Sequence, residues 1–325
     1  MDREDLFMKK FKYYKRNNPK PSLEQVILFN DEYTILKQVN NIPHTKNDPR
    51  TEILGLKDLR VWQSLAFSDH PGFVIIRNPF TALGQRYWIR KCLEEYSKSP
   101  NKRNIDIDTS LNDWWSECYK SGKCDKKFQN KLRWTTLGYH HNWDTKVYSE
   151  ESKGIFPSEL AELCEVVAQY LGYEPFRAEA AIVNYYHMCS TLSAHTDHSE
   201  VNLDAPLFSF SFGQSAIFLL GRHEKTIEPS AFLLNSGDIA IMSKEARLCY
   251  HAVPKILPAT KCPWSDIVRP VQKSNIHLKC MKAEDISEMN KNIKENEWRN
   301  FENYIAESRI NINVRQVLME NQITL

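Results

Sequence analysis

The stretch RININVRQV, residues 309–317, alternates polar and apolar side chains strictly over its first seven positions. Side chains two residues apart in an extended chain lie on the same face of a strand. One face would carry Arg309, Asn311, Asn313 and Arg315, and the other Ile310, Ile312 and Val314. The pattern therefore predicts a β-strand over 309–318 with one apolar face and one strongly polar face.

Several short runs of β-type residues precede this strand and are separated by Gly, Pro and Asn. They are AIVNYY (181–186), LFSFSF (207–212), AIFLL (216–220), AFLL (231–234) and DIAIM (238–242). Such spacing is typical of a sandwich or barrel of short antiparallel strands. We therefore predict an α+β protein whose second half is a β-sandwich or barrel.

Helical patterns dominate the first half of the chain. Phe7, Phe11 and Tyr14 recur at helical spacing among lysines, which predicts a basic amphipathic helix that ends before Pro19. This helix either docks its apolar face on the core or contacts phosphates, and both alternatives stay open here. Further expected elements are a helix start with capping-box spacing at 22–25, a strand at 73–80, a helix at 82–97, a polar loop with short helical pieces at 98–130, and a helix that ends at Gly172.

Between the β runs and the final strand, two more segments have a readable pattern. Residues 254–282 combine four prolines with mixed polarity, which predicts a long surface loop. Apolar residues from Ile286 to Tyr304 then predict one further helix.

Composition limits the function classes. The 325 residues are 42% hydrophobic, enough to fill a core, and the formal net charge is only +2. Nucleic-acid binding would therefore need a local basic patch rather than bulk charge. The eight cysteines include no CxxC pair, which argues against a zinc ribbon and against a disulfide-rich secreted domain.

The sequence predicts neither a membrane span nor a secretory signal. No apolar run approaches the length of a membrane span, and the start MDREDLF has no apolar signal segment. We expect a protein that is neither secreted nor associated with a membrane. The expected compartments are the nucleus and/or the cytoplasm, with the mitochondrion as an alternative.

The stretch LSAHTDHSE, residues 192–200, concentrates two histidines and two acids. In an extended chain His195 and Asp197 project from one face, which places an imidazole beside a carboxylate. His251 follows Asp197 by 54 residues and would complete the facial triad of two histidines and one carboxylate that leaves positions open on Fe(II). Taken alone, the HxD pair fits a solvated turn at least as well, since most histidines near turns are structural.

The polar face of residues 309–315 helps to decide between an iron site and a solvated turn. An exposed strand face would explain its residues without any ligand, but two arginines directed into a barrel mouth would be costly unless an anion paired with them. Guanidinium groups suit carboxylates. A co-substrate with two carboxylates fits both features, because 2-oxoglutarate could chelate iron through its keto acid end and reach an arginine with its far carboxylate.

HxD, a distant histidine and an R-x-N-x-x-x-R strand together resemble the AlkB-like Fe(II)/2-oxoglutarate-dependent dioxygenases, most closely their eukaryotic homologue-one branch. The stretches that carry the similarity cover most of the chain. They are LRWTTLGYHHNWDTKVY (132–148), FRAEAAIVNYY (176–186), STLSAHTDHSE (190–200), PLFSFSFGQSAIFLLG (206–221), NSGDIAIMS (235–243), HAVPKILP (251–258) and RININVRQVL (309–318).

The resemblance implies a double-stranded β-helix (jelly-roll) core with N-terminal helices packed on it. Residues 1–174 would form a helical and substrate-rim extension of the same catalytic unit. Residues 175–325 would form the dioxygenase core, with a loop and helix insertion at about 254–308.

Transferred position by position, the resemblance implies that His195, Asp197 and His251 bind Fe(II) and carry catalysis with O2. It implies that 2-oxoglutarate contacts the residues Asn184, Tyr186, Arg309, Asn311 and Arg315. Among these, Arg309 would pair with the distal carboxylate and Arg315 would lie near the keto acid end. Two positions depart from the pattern: Asn313 stands where the family usually has Thr or Ser, and Lys244 where this branch commonly has Gly.

The resemblance also implies an oxidative demethylase of methylated nucleic-acid bases, with N1-methyladenosine in tRNA and N6-methyladenine in DNA as the leading substrates. The alternatives are tRNA 5-methylcytosine oxidation, a protein (histone) hydroxylase or demethylase that uses the same iron site, and a noncatalytic binding module. A base must be unstacked to reach a barrel mouth, so a demethylase of this kind needs stacking groups and a phosphate-binding rim.

Candidate substrate residues are Tyr139, His141, Trp143 and Ser199, and the basic N-terminal helix is the candidate contact for methylated tRNA and/or DNA. Ser199 stands where bacterial repair members have an acid. This departure argues against a simple alkylation-repair preference.

Overall fold

Two β-sheets packed face to face form the centre of the molecule. The computed structural model describes residues 4–29, 36–38, 47–106, 111–120, 123–271 and 283–325. The strands in these residues are β1 (Val26–Ile27), β2 (Leu36–Gln38), β3 (Ser64–Phe67), β4 (His70–Ile76), β5 (Lys102–Arg103), β6 (Trp134–Gly138), β7 (Ala180–His187), β8 (Leu192–His195), β9 (Leu207–Gly213), β10 (Ser215–Leu220), β11 (Ser230–Leu234), β12 (Ile239–Met242), β13 (His251–Leu257) and β14 (Ser308–Arg315).

The strands are divided between a larger and a smaller sheet. The larger sheet has the order β2-β3-β4-β12-β9-β14-β7-β6-β5, and the smaller has the order β1-β11-β10-β13-β8. Neighbouring strands are antiparallel except β1 and β11, which pair in parallel. The predicted α+β jelly roll is confirmed by this arrangement.

Side-chain alternation in β14 separates two layers. Ile310, Ile312 and Val314 pack into the core beneath the helices. Arg309 and Asn311 face the opposite way, into a cavity between the two sheets. The predicted polar face of this strand therefore points into the interior of the jelly roll, where charge needs a partner.

Eight α-helices surround the sheets in the described residues. They are α1 (Leu6–Lys15), α2 (Arg50–Ile53), α3 (Ala82–Arg90), α4 (Trp114–Cys118), α5 (Lys126–Gln129), α6 (Ser158–Leu171), α7 (Ala283–Lys291) and α8 (Glu295–Ile305). Helix α3 continues into a π-helical turn at Lys91–Glu95, so helical structure covers most of the predicted 82–97. None of the helices in the described parts of the chain has the length and apolar character to cross a membrane.

Helix α1 docks on the outer face of the smaller sheet. Phe7, Phe11 and Tyr14 are buried there against Ile217 and Leu219 of β10. The lysines on the other side of the helix, including Lys12 and Lys15, remain exposed. Docking of the apolar face thus leaves the basic face free for a partner.

Several expected elements differ in the structure. Residues 22–25 form a turn rather than a helix start, because the next residues pair with β11 and bury Val26. The single helix expected from Ile286 to Tyr304 is two helices, α7 and α8.

The other differences concern the two long segments outside the predicted core. The expected surface loop at 254–282 begins as the end of β13 and contains the buried Trp264, while residues 272–282 lie outside the described residues. The strand predicted at 73–80 corresponds to β4, His70–Ile76, whereas β3 and β6, which also extend the larger sheet, were not predicted. The division near residue 174 stays a prediction.

Candidate active site

Three predicted metal ligands converge at one edge of the smaller sheet. His195 is the last residue of β8, His251 is the first residue of β13, and the two are cross-strand partners. Asp197 lies in the turn after β8. Their potential ligand atoms all lie within 4.8 Å of one another. The antiparallel register thus joins residues that are far apart in sequence.

Both histidines are oriented by backbone carbonyl groups. Nδ1 of His195 donates to the carbonyl oxygen of Ser193 at 2.9 Å, and Nδ1 of His251 donates to that of Cys249 at 3.2 Å. These bonds leave Nε2 of each ring as the nitrogen available to a metal. Nε2 of His251 lies 3.5 Å from Oδ2 of Asp197.

The protonation states suit metal binding. Burial and the neighbouring His251 lower the pKa of His195 to about 4, so its imidazole is neutral at physiological pH. Burial by itself would raise the pKa of Asp197, but Arg315 and the histidines hold it well below its usual value. Two imidazoles and a carboxylate, open on one side, form the donor set expected for Fe(II).

Arg315 is neutralised by the protein itself. Its Nη2 donates to Oδ1 of Asp197 at 2.8 Å, and its Nε lies 3.1 Å from Oε1 of the buried Glu200. The sequence argument required an anionic partner for each arginine of β14. For Arg315 two acids of the chain supply that partner, and its predicted contact with 2-oxoglutarate stays a prediction.

Arg309 has no such partner among the residues that the structure describes. Its guanidinium donates to the carbonyl oxygens of Gln214 and Leu234 and to the hydroxyl of Ser211, and its buried Nε has no hydrogen-bond partner there. Burial lowers its pKa to about 10, which still leaves it protonated at neutral pH. A buried cation with an unsatisfied donor provides a site for a carboxylate.

An inner cavity connects Arg309 with the metal triad. Tyr186, Asn311 and Asn313 line it together with Arg309 and His251. Tyr186 is the cross-strand partner of Arg309, and burial raises the pKa of its hydroxyl to about 12, so this group stays protonated. The lining thus brings the buried cation Arg309 and the triad residue His251 to one small cavity of about 30 Å³.

A second, larger cavity opens to solvent on the other side of the triad. Its volume is about 620 Å³, and it is lined by His195 and Asp197 as well as by Asn184 and Arg315. Asn184 was predicted to contact 2-oxoglutarate, but it lines this outer cavity rather than the inner one. Its register partner is Asn311, so it lies at the boundary of the two cavities.

The outer cavity has an aromatic wall that contains three of the four predicted substrate residues. Trp143 is 47% exposed and lies 4.7 Å from the ring of His141 in an edge-to-face arrangement. Nε2 of His141 is 3.0 Å from Oγ of Ser199. Burial and the nearby Arg315 lower the pKa of His141 and favour its neutral form.

The prediction of Tyr139 as the fourth substrate residue is wrong. Its side chain is only 1% exposed, its hydroxyl bonds to Glu150 and Lys153, and it does not line the cavity. Gly138 precedes it in the left-handed region at a φ of 67° and ends β6 there. The chain thus turns at this point, and Tyr139 packs inward while His141 and Trp143 face the cavity.

Three buried residues of the site were not predicted. Glu200 accepts a hydrogen bond from the hydroxyl of Tyr148 and one from Arg247, in addition to its pairing with Arg315. Glu200 was visible in the stretch LSAHTDHSE as the second acid. No sequence signal singled out Arg247, because an isolated arginine in a mixed segment is ordinarily on the surface.

The two departures from the family pattern occupy different settings. Asn313 lines both cavities beside the triad. Lys244 adopts a φ of 49°, in the left-handed region that glycine occupies without strain. The backbone at Lys244 therefore has a conformation that a glycine would adopt without strain, and its side chain is exposed.

Comparison with known proteins extends these observations. The family model described as 2OG-Fe(II) oxygenase superfamily matches residues 72–315. "Nucleic acid dioxygenase ALKBH1" of Mus musculus is 37% identical over 98% of this chain and 86% of its own length. "DNA N(6)-methyladenine demethylase ALKBH1A" of Arabidopsis thaliana is 28% identical over 95% of this chain and 94% of its own length. "tRNA demethylase abh1" of Schizosaccharomyces pombe is 35% identical over 59% of this chain and 71% of its own length.

Proposed function

This chain belongs to the AlkB-like homologue-one branch of the 2OG-Fe(II) oxygenase superfamily and is an Fe(II)- and 2-oxoglutarate-dependent dioxygenase. From this membership we propose that it oxidatively demethylates bases in nucleic acid. The leading substrates are N1-methyladenosine in tRNA and N6-methyladenine in DNA. Named relatives act on tRNA and on DNA N6-methyladenine, which supports the substrate class.

One observation carries the proposal. The metal triad separates a small, cationic inner cavity from an open outer cavity of about 620 Å³ with an aromatic wall. A charged co-substrate and a flat, planar substrate therefore each have a suitable compartment on opposite sides of one metal. A hydrolytic site would have no use for the buried cation Arg309.

The triad residues hold the metal in this proposal. His195 and His251 would hold Fe(II) through Nε2, since each Nδ1 is committed to a backbone carbonyl. Asp197 would offer Oδ2, because Arg315 holds Oδ1 at 2.8 Å. When bound, Fe(II) and 2-oxoglutarate supply the O2-dependent oxidation that converts an N-methyl group into an N-hydroxymethyl group, with release of succinate and CO2.

The inner cavity binds and orients 2-oxoglutarate. Arg309 pairs with the distal carboxylate, and the neutral hydroxyl of Tyr186 and the amide of Asn311 border the same space. Buried polar groups at fixed positions bind without a large reorganisation cost and exclude water. The keto acid end is thereby directed toward the triad.

The outer cavity receives an unstacked base. Trp143 offers an exposed indole face for stacking, and the pair of His141 and Ser199 offers polar contacts to the base edge. The methyl group must lie next to the metal, so the role of the aromatic wall is to hold the base in the orientation that places it there. The N-hydroxymethyl product then loses formaldehyde and leaves the unmethylated base.

Helix α1 provides the phosphate contact in this proposal. Its exposed Lys12 and Lys15 lie on a helix whose Phe7 packs 6.4 Å from the ring of Tyr250, and Tyr250 lines the outer cavity. Phe7 therefore attaches the start of the helix to the rim, while Lys15 lies toward the other end, where Nζ of Lys255 donates to the carbonyl oxygen of Arg16. Phosphate contacts of this kind position a nucleic acid but carry no sequence preference.

Release of succinate and formaldehyde by purified, Fe(II)-loaded protein tests the function. The panel comprises tRNA with N1-methyladenosine, DNA with N6-methyladenine, tRNA with 5-methylcytosine and methylated histone peptide, with His251→Ala as the control. Formaldehyde that depends on methylated nucleic acid and disappears in the control supports the proposal. Stimulation by peptide alone assigns the site to a protein demethylase or hydroxylase, and oxidation of 5-methylcytosine without formaldehyde assigns it to base oxidation.

A further inference from the structure

Arg247 is a buried arginine in the short helical turn at Lys244–Leu248, which joins β12 to β13. Only 2% of it is exposed. Its Nη1 donates to the backbone oxygen of Asp197 at 2.7 Å, its Nε donates to that of Ala205 at 3.1 Å, and its Nη2 donates to Oε2 of Glu200 at 3.0 Å. All three acceptors belong to the loop 196–206, which follows His195.

Both sides of this contact carry a metal ligand. Arg247 lies four residues before His251, and the carbonyl oxygen of Cys249 in the same segment fixes Nδ1 of His251. The acceptors of Arg247 lie in the loop that contains Asp197. Arg247 therefore ties the segment of the third ligand to the segment of the second.

A closed ring of charges surrounds this connection. Arg315 bridges the carboxylates of Asp197 and Glu200 at 2.8 Å and 3.1 Å, and Arg247 bridges Glu200 and the main chain of Asp197. Two guanidinium groups and two carboxylates balance in formal charge. Removal of one member would leave an uncompensated buried charge, which is strongly unfavourable.

From this arrangement we propose that Arg247 is a positioning residue, which fixes Asp197 relative to His251 and so organises the metal site before the metal binds. Three acceptors in three directions require the planar fork of a guanidinium group, and a lysine ammonium cannot reach all of them. Groups that orient metal ligands typically change metal affinity by about 10–100-fold when they are removed. The inference rests on the proposed assignment of the triad as the metal ligands.

The experiment compares Arg247→Met with a matched variant, Arg86→Met. Arg86 is also buried, and it also donates to two backbone oxygens, those of Trp264 and Asn292, and to one carboxylate, that of Glu295. None of these residues lines either cavity. The two substitutions therefore remove the same set of donors from two parts of the fold, with an exposed carboxylate partner for Arg86 and a buried one for Arg247.

Metal affinity of the chelator-stripped protein is measured by titration with Co(II), with the visible absorption of bound Co(II) and the thermal midpoint Tm recorded for each variant. We expect Arg247→Met to weaken Co(II) binding about 10–100-fold and to alter the absorption spectrum. Arg86→Met should lower Tm without either change. Equal Co(II) affinity in Arg247→Met and the wild type would overturn the inference, and so would an equal loss in both methionine variants.

Two further variants keep the test decisive if Arg247→Met does not fold. Arg247→Lys retains the charge without the fork, and Glu200→Gln retains the shape of one acceptor without its charge. Loss of Co(II) affinity in both, with Tm maintained, supports the inference, and wild-type affinity in both overturns it. If His251→Ala does not weaken Co(II) binding, the metal assignment itself is wrong, and the inference is overturned together with the proposed function.

Discussion

Replacement of Arg309 by methionine tests the proposed 2-oxoglutarate site most directly. The guanidinium is 2% exposed, and its three acceptors are two backbone oxygens and a hydroxyl at 2.7–3.4 Å. Its Nε is buried without a hydrogen-bond partner in the described part of the chain. Because the group stays protonated despite its lowered pKa, it is a positive charge that lacks an ion pair among the described residues.

The expected magnitude follows from this environment. Truncation of one partner of a buried, hydrogen-bonded charge pair costs about 2–5 kcal/mol, and each 1.4 kcal/mol is about a tenfold change in affinity. Arg309→Met should therefore weaken 2-oxoglutarate binding roughly 30- to several-thousandfold. The free energy of unfolding of the ligand-free protein should change by less than about 2 kcal/mol, since the hydrogen bonds that disappear are offset by removal of a desolvated charge.

The assay is calorimetric titration of 2-oxoglutarate into Mn(II)-loaded protein, together with urea unfolding of the metal-free form. Arg315→Met provides the contrast, because Arg315 pairs with Asp197 and Glu200 and lines the outer cavity rather than the inner one. That variant should lower the free energy of unfolding by about 3–5 kcal/mol. Wild-type affinity for 2-oxoglutarate in Arg309→Met would refute the assignment of the inner cavity.

Three other predictions concern the outer wall, helix α1 and pH. Trp143→Ala should raise the KM for methylated nucleic acid roughly 5- to 150-fold, because stacking of a base on an aromatic ring is worth about 1–3 kcal/mol. An unchanged KM, with 2-oxoglutarate affinity intact, would show that Trp143 does not contact the substrate. The double variant Lys12→Gln and Lys15→Gln should reduce the slope of log binding affinity against log salt concentration by about one for each phosphate group that a lysine neutralises. An identical slope would place the phosphate-binding residues elsewhere. Burial lowers the pKa of His140 from 6.5 to about 4, so below pH 6.5 the unfolded chain takes up a proton that the folded protein excludes. The free energy of unfolding of the metal-free protein should therefore fall between about pH 6.5 and 4. His140→Gln should flatten part of that fall in urea titrations, whereas an unaltered pH profile would contradict the argument.

Local patterns predicted the strands and the convergence of the triad because alternation is a property of consecutive residues. RININVRQV became β14 with its apolar side chains under the helices and its arginines inside. His195, Asp197 and His251 were recognised from residue type and order, and the strand register brings them together. These are features in which a short segment contains most of the deciding information.

Long-range pairing was not readable in the same way. The charge of Arg315 is balanced by Glu200, whose position opposite β14 depends on how a distant loop folds over the sheet. Tyr139 looked like a cavity residue, yet a turn at Gly138 directs it inward. The capping-box spacing at 22–25 was overridden by pairing of Val26 with Ala231, an example of tertiary structure outweighing local propensity.

The position of β14 in the larger sheet has a consequence for biosynthesis. It is the last strand along the chain, yet eight of its residues pair with β7 and six pair with β9, which it separates. Before β14 leaves the ribosome, β7 and β9 each present an unpaired edge to the same gap, and such edges recruit other extended chains. At about 5–20 residues per second, the interval between completion of β9 and completion of β14 is roughly 5–20 s. The nascent polypeptide is therefore exposed to aggregation during that interval. A truncated chain that ends before Ser308 lacks β14 and should be bound by chaperones or degraded, rather than fold into an enzyme of reduced activity.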